Sequence, residues 1–513
     1  MTGVQTCALP IWDGNALNLT VANARPHDLF FFAEPEEMLD GHLDTPGIFL
    51  DASAVLERQF TAFCFDKWIA EDPIVTLPKK LGQVLNNLEP VDVRKFPHNF
   101  IYFIQTNQAH LFDQFIQLFE DEVSRLSKES IKHLNVFVEG DRNWKGSLHY
   151  NIMNGLHKRR LERESLRKKT QILNTKIRKK KQGPRDRNYE KELRELNIEK
   201  SALQALIKNI SDRDTFNFFT DEGLLPNYAF PEVGVMLNSL IYRKKQKVQE
   251  GESSYDSWSY EYERPAVSAL QELAPANTFY AEGRKVKIDQ VDMTISEVQT
   301  WRFCNNCSHK EMLGKEDEKE TCINCGSPMW ADAGQKRLML KMRQVFSSSS
   351  DRQSRITDDS DDRDPVFYNK QMLVEFDDQY ILDAYKVDAD FPFGFDFLSN
   401  VDFCEINFGE KTEIGDKVSI AGIEMPRKGF SLCRVCGKVQ EDNKEPAHAF
   451  ACTARDQDSD KNLIDCIYLY RQFVSEAIRI LLPVNIISDS ERKLHSFIAA
   501  MQLGLKKRFK GKI

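Results

Sequence analysis

At 513 residues and 59.4 kDa, with 41% apolar residues, the chain is long enough for three or four packed domains. Its formal net charge of −8 excludes a uniformly basic nucleic-acid coat, so any such binding has to come from local patches. No run of about 18 apolar residues occurs, which excludes a membrane-spanning helix, and eleven cysteines are far too few for a disulfide scaffold, which predicts reduced thiols and a cytoplasmic protein.

In chain order, residues 1–11 (MTGVQTCALPI) look like a translated sequencing adapter rather than a domain start, which would leave Cys7 without a role. Asn15–Asn23 alternates as a strand does, and Ala24–Asp28 breaks that pattern before the apolar run Leu29–Phe32. Residues 36–156 read as a helical domain, with Phe112, Phe115, Ile116 and Phe119 at spacings of three and four.

Residues 157–215 read as an antiparallel coiled-coil hairpin turning at Gln182–Arg185. Tyr189, Leu193, Leu196, Lys200, Leu203, Ile207 and Ile210 step by four and three, and Leu166, Leu173 and Ile177 offer a weaker seam before Gly183-Pro184. The first arm is strongly basic: Lys158–Lys181 holds twelve Lys/Arg against two Glu, a local net charge of +10. Lys158, Arg159, Arg160, Arg163, Arg167, Lys168, Lys169, Lys179, Lys180 and Lys181 are therefore candidate phosphate contacts, with a solvated coiled-coil face as the alternative.

Gly223–Pro231 is turn-rich, Val233–Tyr242 alternates like a strand, and Tyr262–Thr294 continues in short strand patterns up to Trp301. Residues 216–345 are thus expected to be a β-rich domain. Ser347–Asp364 is rich in Ser, Asp and Arg without an apolar period, which predicts a flexible linker at 346–364. A second domain follows at 365–513, with the apolar run Leu463–Leu482 and a last helix at about Ser490–Arg508. Arg471, Glu476 and Arg479 inside that run read as flank charges or as an internal ion pair.

Two clusters carry metal chemistry. Cys304-x2-Cys307 and Cys322-x2-Cys325, separated by 14 residues, supply four thiolates in zinc-ribbon spacing. Cys433-x2-Cys436, followed by His448-x3-Cys452, supplies three thiolates and an imidazole. Four protein ligands close each shell and leave no position for an activated water, so two structural zinc ions are expected and hydrolysis or deamination is not. Cys404, Cys466 and His309 are spare residues of ligand type that are expected to be core or surface residues rather than ligands, and Cys64 is a bystander. No Gly-rich phosphate loop with Lys-Ser/Thr, no Gly-x-Ser-x-Gly elbow and no His-Glu-x-x-His helix occurs.

Several blocks together point to a family. ARPHDLFFFAEPEEML (Ala24–Leu39), ASAVLERQ (Ala52–Gln59), GLLPNYAFPE (Gly223–Glu232), ERPAVSALQELAPANTFYAEGRKV (Glu263–Val286), and the Cys433-x2-Cys436-Gly437 knuckle with SEAIRILLP (Ser475–Pro483) resemble the C-terminal half of large bacterial DEAD/DEAH-box helicases. These are superfamily 2 proteins with an MrfA-type zinc-binding domain, active in DNA repair and phage defence. The resemblance implies that both motor lobes, with their ATP and magnesium, lie upstream of Trp12, and that the family continues beyond Lys512. It implies Cys433, Cys436, His448 and Cys452 as the family's zinc ligands, and DNA, single-stranded or duplex, as partner.

The expected fold class is α+β and multidomain. It comprises the tail of a RecA-like domain (12–35), the helical domain with its basic hairpin, the β-rich zinc-ribbon domain, the linker, and a truncated C-terminal α/β zinc-binding domain. The competing expectation is a stand-alone zinc-stapled scaffold that docks a protein partner through the hairpin.

Overall fold

The computed structural model describes residues 21, 26–36, 53–71, 77–119, 126–140, 145–185, 187–226, 234–244, 255–294, 296, 298–314, 319–356, 366–386, 393–411, 416–441, 446–456, 459–482 and 491–508. The chain is α+β and divides into two units: Leu50–Tyr380 with Ser399–Ala477, and Met1–Phe49 with Ile381–Leu398 and Ile478–Ile513.

The helical part of the larger unit is held by aromatic packing. Phe65 stacks on Phe100 at 4.1 Å, and Trp68, Phe96 and Phe219 close the cluster edge-on or tilted, geometries that add to their area burial. Leu148, Ile152 and Leu156, at the root of the helix Leu148–Gln182, lie in this same core with Ile210 and Phe218. The expected boundary between a helical domain and a hairpin at 156/157 therefore falls inside one continuous helix. Gly82 permits a close approach to the second hairpin arm, since a Cβ there would sit 2.8 Å from the Ser211 carbonyl oxygen.

The hairpin consists of a first arm, Leu148–Gln182, and a second arm, Tyr189–Asp212. Ser147 caps the first arm by accepting from the Tyr150 N–H, and Lys179, Lys180 and Lys181 in its last turn complement the negative end of the helix dipole. Glu190 and Glu192 do the converse at the start of the second arm, and Lys180 pairs with Glu192 across the turn at 2.8 Å. Leu166, Leu173, Ile177, Leu196 and Ile210 are the buried seam positions.

Strands β1 (Val235–Lys244) and β2 (Tyr255–Arg264) form an antiparallel hairpin, β3 (Thr278–Ala281) and β4 (Arg284–Lys287) a second one, and β5 (Gln290–Val291) follows. Next come β6 (Val298–Phe303), β7 (Lys310–Met312), β8 (Lys336–Leu340) and β9 (Gln344–Ser350). Later strands are β10 (Tyr368–Phe376), β11 (Ile381–Lys386), β12 (Gly394–Glu410), β13 (Lys417–Ile420), β14 (Ile423–Pro426), β15 (Phe430–Cys433) and β16 (Leu463–Leu481). One sheet runs β2-β1-β9-β5, and another runs β10-β12-β16-β8-β6-β7 with β15 beside β16.

Three expectations are corrected here. Ser347–Ser350 is not linker: it is the end of β9, paired in parallel with β1 so that Ser347 faces Ser239, and both are buried. Backbone pairing with β1 specifies this stretch, so it needs no apolar period. Asp351 then accepts from Arg284 at 2.9 Å and from Arg355 at 2.8 Å, which orders the chain as far as Ile356; the rest of the expected linker lies outside the described residues.

Second, residues 216–345 and the following β-rich part are not separate domains in the larger unit. β8 pairs in parallel with β16 through Leu338 and Ile467, and Val291 donates to the Gly437 carbonyl, so their hydrogen bonds are shared. Third, Tyr262–Thr294 contains a helix, Ala266–Glu272, set off by Pro265 and burying Ala269 and Leu270. Arg471 pairs with Glu405 at 2.6 Å, so its partner lies on β12 rather than within its own run.

In the smaller unit, β11 pairs with the start of β12, from Ile381↔Leu398 to Lys386↔Gly394, and Arg479 pairs with Asp396. The apolar run Leu29–Phe32 belongs to the helix Pro26–Ala33, and Glu491–Arg508 is helical. The strand expected over Asn15–Asn23, apart from Val21, and the adapter-like residues 1–11 lie outside the described residues. No helix among the described residues is long and apolar enough to cross a membrane.

Candidate metal centres and the basic hairpin

The tight turn between β6 and β7 carries Cys304 and Cys307, and the turn at Cys322–Gly326 brings up the second pair. Gly326 takes φ +71°, and its N–H donates to the Cys322 carbonyl at 2.8 Å, which folds the knuckle back on itself. The sulfurs of Cys304 and Cys325 lie 3.5 Å apart, and those of Cys307 and Cys322 3.6 Å. A tetrahedral zinc with bonds of about 2.3 Å separates its sulfurs by about 3.8 Å, whereas a disulfide needs about 2.05 Å. The spacing fits the ion and excludes the disulfide.

The second centre sits between β15 and β16. Cys433 and Cys452 are 3.9 Å apart, and His448 points Nδ1 at them, 3.2 Å from the Cys433 sulfur and 3.9 Å from that of Cys452. In each centre all four donor atoms fall within 4.8 Å of one another. Burial pushes the Cys436 thiol up to about 12, and desolvation also raises Cys304, Cys307 and Cys452. For these raised thiols the thiolate is therefore unfavourable unless a cation supplies the compensating charge, whereas the exposed Cys325 is lowered by the Ser327 N–H. Both centres are compatible with a structural zinc ion.

The surrounding contacts fix each shell. The Asn306 N–H points at the Cys304 sulfur at 3.4 Å, and Asn305 ties the ribbon to Ser327 and Ser419. Trp330, 1% exposed, packs on the ribbon cysteines and against the His309 ring at 4.9 Å. His309 is no substitute ligand, because it lies outside both four-donor clusters; its Nδ1 meets Glu375 at 2.6 Å. Cys404 lies in a core with Leu373 and Ile406, Cys64 in the helical core, and Cys466 outside both clusters.

Gly437 closes the second knuckle at φ +71°, where a Cβ would lie 1.8 Å from the Val291 carbonyl oxygen. Gly437→Ala is expected to destabilise the fold by about 3 kcal/mol or more, read as a lowered midpoint in denaturant, since both the backbone conformation and the contact oppose it.

The structure also separates the basic residues of the first arm. Arg159 is enclosed by Glu162 at 2.7 Å and Glu222 at 3.2 Å, Arg160 pairs with Glu89 and Glu164, and Arg163, 4% exposed, donates to Asn86 and the Gly82 carbonyl. These three anchor the helix to its own fold and are corrected as phosphate contacts. Lys158 and Lys180 also have partners within the chain. Arg167, Lys168 and Lys169 remain, with Lys179, Lys181 and the additional Arg178; all but the half-buried Lys169 are exposed. Arg163→Ala is expected to cost about 2 kcal/mol of stability while leaving the salt dependence of any nucleic-acid binding unchanged.

Sequence reasoning missed the joint between hairpin and second centre. The Glu199 carboxylate accepts from the Phe450 N–H at 2.6 Å and the Ala451 N–H at 2.8 Å, and Lys176 donates to the Phe450 carbonyl at 3.0 Å. Ala451 also packs into the seam with Leu173, Ile177 and Leu196. Partners some 250 residues away leave no local signal. No family model, curated protein or solved structure matches the chain.

Proposed function

We propose that this chain is the DNA-engaging, zinc-stabilised portion of an ATP-dependent helicase or translocase, with the first hairpin arm as its strand contact. The observation that carries the reading is the outer stripe of that arm. Arg167, Lys168, Lys169, Arg178, Lys179 and Lys181 form no ion pair with a carboxylate among the described residues. Arg167 and Arg178 are 11 residues apart, three helical turns, and so are Lys168 and Lys179, so each pair repeats along its own line about 16 Å apart, the two lines about 100° apart around the helix. A rigid row of cations suits a phosphate backbone, where each neutralised phosphate releases counterions.

In this reading, ATP, magnesium and the stepping belong to the motor of the parent protein, in DNA repair or phage defence. This portion guides the strand, while the two zinc centres keep its loops folded and the second one, through Phe450 and Ala451, braces the hairpin. The test is the salt dependence of binding to labelled single-stranded and duplex DNA, with the outer stripe intact and reversed. Binding that ignores salt or the reversal overturns the assignment.

The scaffold reading is less well supported. The apolar seam of the hairpin is covered from within by Ala451, and Tyr150, Leu161 and Ile172 are its exposed large hydrophobics among the described residues. A protein-docking face needs a larger apolar centre than that.

A further inference from the structure

The hairpin, the β1/β9 face of the first sheet and the second zinc knuckle enclose a cavity of about 620 Å³, all within the larger unit. That volume suits a small organic ligand. One wall is the hairpin, through Leu166, Ile172, Ile198 and Ala202. The opposite wall is the sheet, where Asn238, Leu240 and Tyr242 alternate along β1 and Phe346 lies beside Asn238 in register.

Two polar atoms beside this cavity are buried without a hydrogen-bond partner. Asn238 is 7% exposed, and its Oδ1 has no hydrogen-bond partner, a loss a folded protein ordinarily avoids. The Nε2 of His448 is likewise buried without a partner on the knuckle side. The charged lining sorts unevenly. Among the carboxylates, Glu162 is held by Arg159, Glu199 by the knuckle N–H groups, Asp289 by Lys438, and Asp292 by the Thr294 N–H. Glu195 alone is left to face Lys168, Lys169 and Arg455, whose guanidinium stacks on Phe450 at 3.7 Å. The free balance is cationic.

We infer that this cavity binds a nucleotide, with the base between the hairpin wall and Phe346, donating to Asn238, and the phosphate on Lys168, Lys169 and Arg455. A ring with an exocyclic amine satisfies the orphaned amide oxygen, the apolar walls take its faces, and the cations take the anion. The same chemistry is offered by a free nucleotide and by one residue of a strand. The inference shares Lys168 and Lys169 with the strand contact proposed above, but it rests on the cavity and its orphaned amide.

The experiment is calorimetric titration of the zinc-loaded full chain with adenosine monophosphate and with a short single-stranded oligodeoxynucleotide. It is paired with mass-spectrometric footprinting of lysine acylation. Saturable binding with one nucleotide per chain is expected, with Lys168 and Lys169 protected, and Asn238→Ala weakening it about tenfold at an unchanged melting temperature. Phe346→Leu, which keeps bulk and removes the aromatic face, is expected to weaken it less. Binding of the monophosphate alone identifies a free nucleotide as the ligand, and binding of the oligonucleotide in competition with it identifies a strand residue. Absence of saturable binding of either probe overturns the inference, as does binding indifferent to both substitutions. Should Asn238→Ala fail to fold, lack of lysine protection in the unsubstituted chain overturns it equally. Because the outer stripe is intact in both variants, strand binding that persists in them while the monophosphate fails to bind defeats the cavity alone.

Discussion

Cys433→Ser, or removal of metal by a chelator, is expected to unfold the segment from Cys433 to Asp456 and to loosen the hairpin that leans on it. The packing gives the reason. Among the described residues, the cluster around the second centre consists of Cys433, Cys436, Cys452 and Ala454, with Ala449 and Leu463 against it, so apolar burial contributes little there and a bound metal would carry the fold. Structural zinc contributes roughly 10 to 16 kcal/mol of apparent binding energy at neutral pH, as much as a typical domain's entire stability. Metal analysis of the intact chain should return two zinc ions per molecule. Hydrogen exchange after chelation should rise first at the knuckle Cys433–Gly437, and then along the facing stretch of the hairpin around Lys176 and Glu199, because their partners Phe450 and Ala451 are released. The ribbon reports separately through Trp330, which should shift its fluorescence to longer wavelength as Cys304–Cys325 lose their ion. A chelated protein with unchanged exchange and unchanged Trp emission would sink the structural-zinc account.

Reversal of Arg167, Lys168 and Lys169 to glutamate should weaken DNA binding by a few hundred-fold at about 0.1 M salt, taking about 0.9 logarithmic unit per phosphate contact. Six contacts on the outer stripe correspond to a slope of about −5 in a plot of log affinity against log salt for duplex, and to a shallower one for a single strand. The triple reversal should at least halve that slope. Arg163→Ala provides the contrast, since its guanidinium is buried against Asn86 and Gly82: stability falls and the slope stays. If Arg163→Ala flattens the slope as much as the triple reversal, the helix is acting through its fold and the stripe is not the contact. The two outcomes also divide the leading reading from the scaffold one, which requires no salt dependence at all.

The metal ligands and the hairpin were legible in the sequence because both depend on short-range geometry. Two cysteines with two residues between them form one knuckle whatever the rest of the chain does, and a heptad step records a helix face within a few turns. The eight candidate ligands accordingly converge on two points. Where the sequence failed, the determining interactions came from elsewhere in the chain. Ser347–Ser350 has the composition of a linker, yet it is a strand because β1, about 100 residues earlier, offers it a parallel edge. Arg159, Arg160 and Arg163 look no different in sequence from Arg167, Lys168 and Lys169; only the positions of Glu222, Glu89 and Asn86 decide which cations stay available. The apparent division at 346–364 dissolves for the same reason, since β8 and β16 share backbone hydrogen bonds across it. By itself the sequence determined the local chemistry: two metal shells, an amphipathic hairpin and a strongly cationic arm. Tertiary structure alone decided which charges are neutralised, where the orphaned amide of Asn238 lies and what the hairpin leans on, because burial and long-range pairing, unlike spacing, are properties of the folded chain.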